Sequence, residues 1–227
     1  MMRKWLSGIL AVMLLGLTAC GTASTDTGSS DIRSNDTEVM SKSVDTATEE
    51  VKTLDNADSK SLVVYFSRSG ENWNVGTVEK GSTQLVAEYI ADKTGAEIYR
   101  IEPVTPYPDS YSEMLKVAEE EQKENKRPEI KTPVDNWEQY DRIYLGYPIW
   151  DGDMPMIVYS FLESQDFSGK IIYPFDTHGG SGLAGTVDNI KNSAAGADVM
   201  DGLGILGEDV QKDFNSLTDT IDSWLDK

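Results

Sequence analysis

The sequence predicts an α/β domain built on a parallel sheet with helices on both faces. Short apolar runs alternate along residues 61–227 with segments of helical period, which is typical of parallel strands joined by crossover helices. The first run, 62–66, is apolar at nearly every position, as expected for a strand that is buried on both faces. Residues 20–60 are rich in Ser, Thr, Asp and Glu without any period, so we expect no core there.

Each predicted strand is followed by a predicted helix. The five strands are expected at 62–66, 96–101, 142–147, 170–175 and 199–206. The helices are expected at 83–94, from residue 109 or 110 to about residue 125, at 155–163, from the glycine-rich turn 177–182 to about residue 192, and at 210–225. The second strand is the least apolar and is therefore expected at an edge. The last helix carries an apolar stripe for the core, formed by Val210, Phe214, Leu217, Ile221, Trp224 and Leu225.

Charge and composition exclude several classes of partner. The formal net charge is −19, which repels the phosphates of nucleic acids and anionic lipid headgroups. One cysteine and one histidine rule out an internal disulfide and a thiolate cluster, and they give no support for zinc. We therefore expect neither a nucleic acid nor a metal ion as a ligand.

The N-terminal segment has the layout of an export signal. Arg3 and Lys4 precede an apolar run at 6–17, which is too short for a membrane span, and small residues then lead to Cys20. Residues 17–20 (Leu-Thr-Ala-Cys) resemble the lipobox of bacterial lipoproteins. That resemblance implies a signal peptide at 1–19, lipidation at Cys20, a tether to residue 60, and a position on the outer side of the cytoplasmic membrane. The alternative is an ordinary cleaved signal with a chance cysteine.

Ligands of a doubly wound sheet bind beyond the carboxyl ends of its strands, and three loops at that end stand out. The hydroxyl-rich turn 67–72 precedes a helix and is suited to a phosphate, although such turns also occur in solvent loops. In the loop 146–152, Tyr147 and Trp150 either stack on a flat ring or belong to the core. The loop 176–182 combines three glycines with His178, and a lone histidine is more often structural than catalytic.

Together these loops resemble the flavodoxin family. The resemblance rests on Tyr-Phe-Ser at 65–67, Gly-Tyr-Pro-Ile-Trp at 146–150 and Thr-His-Gly-Gly-Ser-Gly at 177–182, and it extends in order over residues 62–227. It implies a flavodoxin-like, doubly wound five-stranded sheet of order 2-1-3-4-5 that binds FMN where the strand order reverses, an arrangement that is known for flavodoxin itself.

The resemblance also implies which residues hold the cofactor. The phosphate would be held by Ser67, Ser82, Thr83 and Gln84, with Ser69 as the alternative to Ser82. The isoalloxazine would be flanked by Pro148, Ile149 and Trp150 on one side and by Thr177, His178, Gly179 and Gly180 on the other. Two features depart from the family pattern: an insertion at 71–80 in the first loop, and Asp151 where relatives often have an aromatic residue.

The fold is compatible with three functions. The leading interpretation is an FMN-dependent electron carrier whose partner is an unidentified redox protein or a quinone. An NAD(P)H:quinone or flavin reductase is the first alternative, but no second nucleotide-binding domain is evident and an exported protein meets little NAD(P)H. The second alternative is a binding lipoprotein that has kept the fold and lost the flavin.

Overall fold

A computed structural model describes residues 60–227, and the predictions for the signal peptide, Cys20 and the tether lie outside that range. The strands are β1 (Lys60–Tyr65), β2 (Gly70–Asn72), β3 (Gly76–Val78), β4 (Glu97–Arg100), β5 (Tyr140–Pro148), β6 (Ile171–His178), β7 (Asp198–Val199) and β8 (Leu203–Leu206). The helices are α1 (Ser82–Thr94), α2 (Tyr111–Lys123), α3 (Met156–Ser164), α4 (Thr186–Ser193), α5 (Gly207–Lys212) and α6 (Thr218–Leu225). Two short 3₁₀ turns occupy Trp137–Gln139 and Phe214–Leu217.

The main sheet has the predicted order. It runs β4-β1-β5-β6, with β7 and β8 both paired to the outer side of β6, and these pairings are parallel. Counting β7 and β8 as one interrupted strand gives the order 2-1-3-4-5. The least apolar strand, β4, lies at an edge as expected.

Alternate residues of the run 62–66, which is formed by β1 and the residue after it, enter two separate apolar cores. Leu62, Val64 and Phe66 pack on the side of α2, α3 and α4, whereas Val63 and Tyr65 pack on the side of α1, α5 and α6. Burial on both faces of the sheet therefore explains the continuous apolar run, as predicted.

No helix within residues 60–227 has the length and apolar character that crossing a bilayer requires.

Two predicted elements are interrupted. The fifth strand is divided, because Ile172 faces Val199 while Phe175 faces Leu203. From Ile172 to Phe175, β6 advances by three residues, whereas the paired chain advances by four, from Val199 to Leu203. The paired chain therefore has one extra residue between β7 and β8, as in a bulge. The last helix is divided at Asp213, whose backbone leaves the helical region (φ −152°, ψ 75°).

The apolar stripe predicted for the last helix nevertheless packs into one core on both sides of the break at Asp213. Val210, Ile221 and Trp224 are buried, and Phe214, Leu217 and Leu225 pack against the same core. The burial pattern was therefore predicted correctly, although the continuous helix was wrong.

The insertion in the first loop is a β-hairpin. Strands β2 and β3 pair antiparallel, separately from the main sheet. The hairpin lies between the end of β1 and the start of α1, so it stands at the end of the sheet where the ligand is expected.

Candidate functional site

An open crevice lies beyond the carboxyl ends of β1, β5 and β6. The cavity within it is about 120 Å³ and is open to solvent. Nine of the residues predicted from the sequence line it: Ser67, Ser82, Thr83, Pro148, Ile149, Trp150, Thr177, His178 and Gly179. Ser69, Gln84 and Gly180 were also predicted, but they are not part of this lining.

The first turn of α1 forms a tight cradle with the end of β1. A Cβ atom on Gly81 would lie 2.4 Å from Ser67 Oγ and 2.4 Å from the Arg68 carbonyl oxygen, so only glycine allows this approach. The first N–H groups of a helix have no partner within the helix, and together with the helix dipole they form an anion site. The crevice therefore has the geometry that a phosphate group requires.

Hydrogen bonds hold the hydroxyl groups of this cradle in place. Ser67 Oγ accepts a hydrogen bond from the Gln84 N–H at 3.2 Å. Ser82 Oγ donates to the Gly207 carbonyl at 2.9 Å. These contacts join the loop after β1, α1 and the start of α5 into one rigid rim, so the cradle is preformed.

The two remaining phosphate candidates face elsewhere. Ser69 lies in a separate outer groove beside Glu71, Glu79 and Asp109, whose carboxylates would repel a phosphate. The side-chain amide of Gln84 donates to Glu88 at 2.9 Å and its backbone N–H donates to Ser67 Oγ, so Gln84 acts on the cradle only through Ser67. Of the alternatives Ser69 and Ser82, it is Ser82 that the structure places on the crevice.

Arg68 also lines the crevice, and sequence reasoning missed it. Its side chain is buried, and its Nη1 donates to the Pro108 carbonyl at 2.8 Å. Burial lowers the pKa of the guanidinium from its usual value, but an arginine stays charged at neutral pH. Its Nε is buried without a partner among the described residues. Arg68 therefore borders the crevice, while its guanidinium is bound to backbone carbonyls of Pro108, Asp109 and Glu71.

Trp150 does not present an open ring face. It is only 6% exposed, and its indole packs edge-on against Phe66 (5.3 Å between centroids) and Tyr107 (5.0 Å). Trp150 lines the crevice, and its place beside a flavin ring stays a prediction. Most of the indole belongs to the core, which was the alternative considered for this loop.

The loop after β6 supplies polar groups to the crevice. His178 Nδ1 accepts the Gly180 N–H at 3.0 Å, which leaves the proton of the neutral ring on Nε2. Burial lowers the pKa of His178, so the ring is neutral at pH 7. Gly180 supports this histidine without lining the crevice, and His178 keeps an N–H donor at Nε2.

A buried carboxyl group lies one residue before this loop. Asp176 is fully buried, and neither of its side-chain oxygens has a hydrogen-bond partner among the described residues. Burial raises its pKa to about 8. Within residues 60–227, no group of three or more His, Cys, Asp or Glu side chains is arranged to hold a metal ion, so Asp176 is not part of such a centre.

The hairpin adds an aromatic residue that sequence reasoning also missed. Trp73 lies at the turn between β2 and β3, lines the crevice, and is 57% exposed. Its ring lies 5.6 Å from that of Tyr111, with a tilt of 37°. The insertion had been noted in the sequence, but nothing in its pattern indicated that its tip reaches the crevice.

Comparison with solved structures identifies similar proteins. A protein from Bacteroides eggerthii assigned as a flavoprotein is 29% identical, with a TM-score of 0.57, and the match covers 74% of this chain and 96% of the other. One from Bacteroides uniformis is 25% identical, with a TM-score of 0.56 and coverages of 74% and 99%. A Lactobacillus acidophilus flavoprotein solved in complex with FMN is 22% identical, with a TM-score of 0.52 and coverages of 72% and 99%.

These proteins consist almost wholly of the matched region, so a domain of this extent folds without a counterpart of residues 1–59. No curated protein sequence matches the chain. The family profile described as flavodoxin matches residues 60–223, which is most of the chain. The chain therefore belongs to the flavodoxin family.

Proposed function

We propose that this protein binds FMN in the crevice and acts as an electron carrier. The observation that carries the proposal is the cradle of Gly81, Ser67 and the first turn of α1, which has the geometry of a phosphate site. Membership of the flavodoxin family supports FMN as the cofactor. When bound, FMN would supply the redox chemistry, and the protein would supply binding, orientation and electrostatics.

The residues of the crevice fit the two ends of such a cofactor. The phosphate would be held by the first N–H groups of α1, with Ser67 beside it. The ring would lie toward Ile149 and the loop at 177–179, where backbone N–H groups and the neutral His178 offer donors. No residue has to act as an acid or a base for this function.

A carrier role is favoured over a reductase because the described residues form one doubly wound sheet with one cofactor crevice. A reductase would also have to hold a nicotinamide beside the flavin. The two functions are separated by adding NADPH or NADH to the FMN-loaded protein. Turnover without a protein partner would contradict the carrier role.

We also propose that the chain is held at the outer side of the cytoplasmic membrane through a lipid on Cys20. The support is the sequence at 17–20 and the export-like segment before it. The test is detergent-phase partitioning of the full chain expressed in a bacterial host, beside its Cys20→Ser variant. We expect the wild type in the detergent phase and the variant outside it. Equal partitioning would contradict the proposal.

The first test of flavin binding uses residues 60–227. The protein is mixed with excess FMN, freed of unbound cofactor, and examined by visible absorption and by titration of flavin fluorescence. We expect bound flavin with quenched emission and a dissociation constant in the micromolar range or below. If no flavin is retained at micromolar FMN, the proposed function is wrong and the third interpretation, a binding protein without flavin, is favoured.

A further inference from the structure

The indole of Trp73 bridges the mouth of the crevice. On one side it packs against Tyr111 in the first turn of α2. On the other side it touches the loop after β6, because a Cβ atom on Gly179 would lie 2.7 Å from Trp73 Cδ1 and 3.3 Å from Nε1. One side chain of the inserted hairpin thus connects two walls of the crevice.

The base of the hairpin holds this side chain in place. The Glu71 N–H donates to the Asp109 carbonyl at 2.9 Å, and the Glu71 carboxylate accepts the Tyr111 N–H at 3.0 Å. Arg68 donates to the carbonyl oxygens of Asp109 and Glu71. The hairpin is therefore fastened at its base, while its tip at Trp73 remains largely exposed.

Trp73 is far more exposed than Trp150, the aromatic residue that the flavodoxin resemblance places at the flavin ring. Trp150 is only 6% exposed, so little of its ring is open to a ligand. Trp73 lines the crevice with little burial and has contacts that a ligand can replace. Aromatic side chains stack favourably on flat conjugated rings in such a position.

We propose that Trp73 is a flavin-binding residue: its indole closes on Gly179 when the crevice is empty of flavin, leaves it when FMN binds, and stacks on the isoalloxazine. This inference rests on the proposed binding of FMN. It assigns a role to the inserted hairpin, namely to supply the aromatic cover that Trp150 does not supply. The residue contributes to retention of the cofactor and to shielding of its ring.

The experiment compares wild type, Trp73→Ala and Trp73→Phe in residues 60–227. Replacement by alanine is expected to weaken FMN binding about tenfold, which corresponds to about 1.4 kcal/mol, and to leave the bound flavin more fluorescent. Replacement by phenylalanine, which keeps a ring, is expected to cost less than about threefold, since stacking tolerates a change of ring. Thr77→Ala on β3 is the matched control, because Thr77 belongs to the same hairpin but does not line the crevice.

A second readout follows the indole itself. Residues 60–227 contain four tryptophans, and the indole N–H signal of Trp73 is assigned as the one that is absent from the Trp73→Phe spectrum. We expect this signal to shift on saturation with FMN. Before FMN is added, acrylamide should quench mainly Trp73, because it is 57% exposed whereas Trp137, Trp150 and Trp224 are each 9% exposed or less.

The outcomes separate this inference from the proposed function. If the wild type binds no FMN, both are overturned. If the wild type and Trp73→Ala bind FMN with equal affinity and equal residual fluorescence, FMN binding stands and the role of Trp73 is overturned. A Trp73 indole signal that does not move at saturation would overturn that role as well.

Discussion

The hydroxyl groups of Thr83 and Thr177 share a hydrogen bond of 2.7 Å. Both side chains are buried, and they belong to the first turn of α1 and to the end of β6. This bond joins the wall of the phosphate cradle to the wall that carries His178. The two loops, which are distant in the sequence, therefore keep one fixed spacing.

Thr83→Val should destabilise the domain by about 1–3 kcal/mol, because it leaves the buried Thr177 hydroxyl without its partner. Thr177→Val should behave similarly. The double variant should cost less than the sum of the two, since no unpaired hydroxyl remains. Urea unfolding of the four proteins without flavin gives the coupling energy. Strict additivity would show that the two hydroxyls do not stabilise each other.

Gly81→Ala should abolish tight FMN binding while the domain stays folded. The added methyl group would collide with Ser67 Oγ and the Arg68 carbonyl oxygen at 2.4 Å, and the cradle would have to open. Affinity for FMN should fall at least about 100-fold, about 2.8 kcal/mol. Riboflavin, which lacks the phosphate, is the internal control, and its weaker binding should change little. An equal loss for both ligands would argue against a phosphate site at Gly81.

Asp151→Asn should raise the reduction potential of bound FMN. Asp151 is exposed and lines the crevice, so its negative charge opposes the addition of electrons to the ring. An exposed charge at about 4 Å contributes about 1 kcal/mol in water, so a rise of a few tens of millivolts is expected, smaller at high salt. Spectroscopic redox titration measures the change. Asp92→Asn, which removes an exposed charge on α1 outside the crevice lining, is the control, and an equal shift there would contradict the effect.

Asp176→Asn should change how stability depends on pH. The folded protein holds the pKa of Asp176 at about 8, whereas an unfolded aspartate has a pKa of about 3.9. Between these values the unfolded state releases the proton and the folded state keeps it, so the carboxyl group lowers the free energy of unfolding as the pH rises. Asparagine has no such proton to release.

Relative to the wild type, Asp176→Asn should therefore gain about 3 kcal/mol of stability between pH 5 and pH 7.5. Urea unfolding of both proteins at several pH values measures this gain. The absolute stability of the variant is less informative, because an unpaired buried amide also costs free energy. A difference between the two proteins that stays constant with pH would show that Asp176 ionises at ordinary acidity in the folded state.

The sequence pattern was sufficient to predict the parallel sheet and the meeting of the three loops, and the resemblance to flavodoxins implied the order of the strands. The apolar run at 62–66 and the alternation after it reflect which positions are buried, and buried positions can be recognised in a sequence by their apolar residues. The loops ending at Asn72, Gly152 and Gly182 were predicted to meet because parallel strands all end at one edge of the sheet. That geometry does not depend on individual side-chain contacts.

The side-chain details of the site were not predictable in the same way. Whether Trp150 turns into the core or the crevice depends on the space that Phe66 and Tyr107 leave for it. The hairpin tip at Trp73 has no apolar period, and its contact with Gly179 joins residues more than a hundred positions apart. The break at Asp213 likewise depends on how α5 and α6 pack, since the apolar stripe alone is compatible with a continuous helix.

The parallel sheet also fixes where the chain enters the domain. Lys60 begins β1 at the amino edge of the sheet, and the crevice opens beyond the carboxyl edge, a six-residue strand or about 20 Å away. Whatever precedes Lys60 therefore joins the domain at the end remote from the crevice. An attachment through that end therefore leaves the mouth of the crevice uncovered.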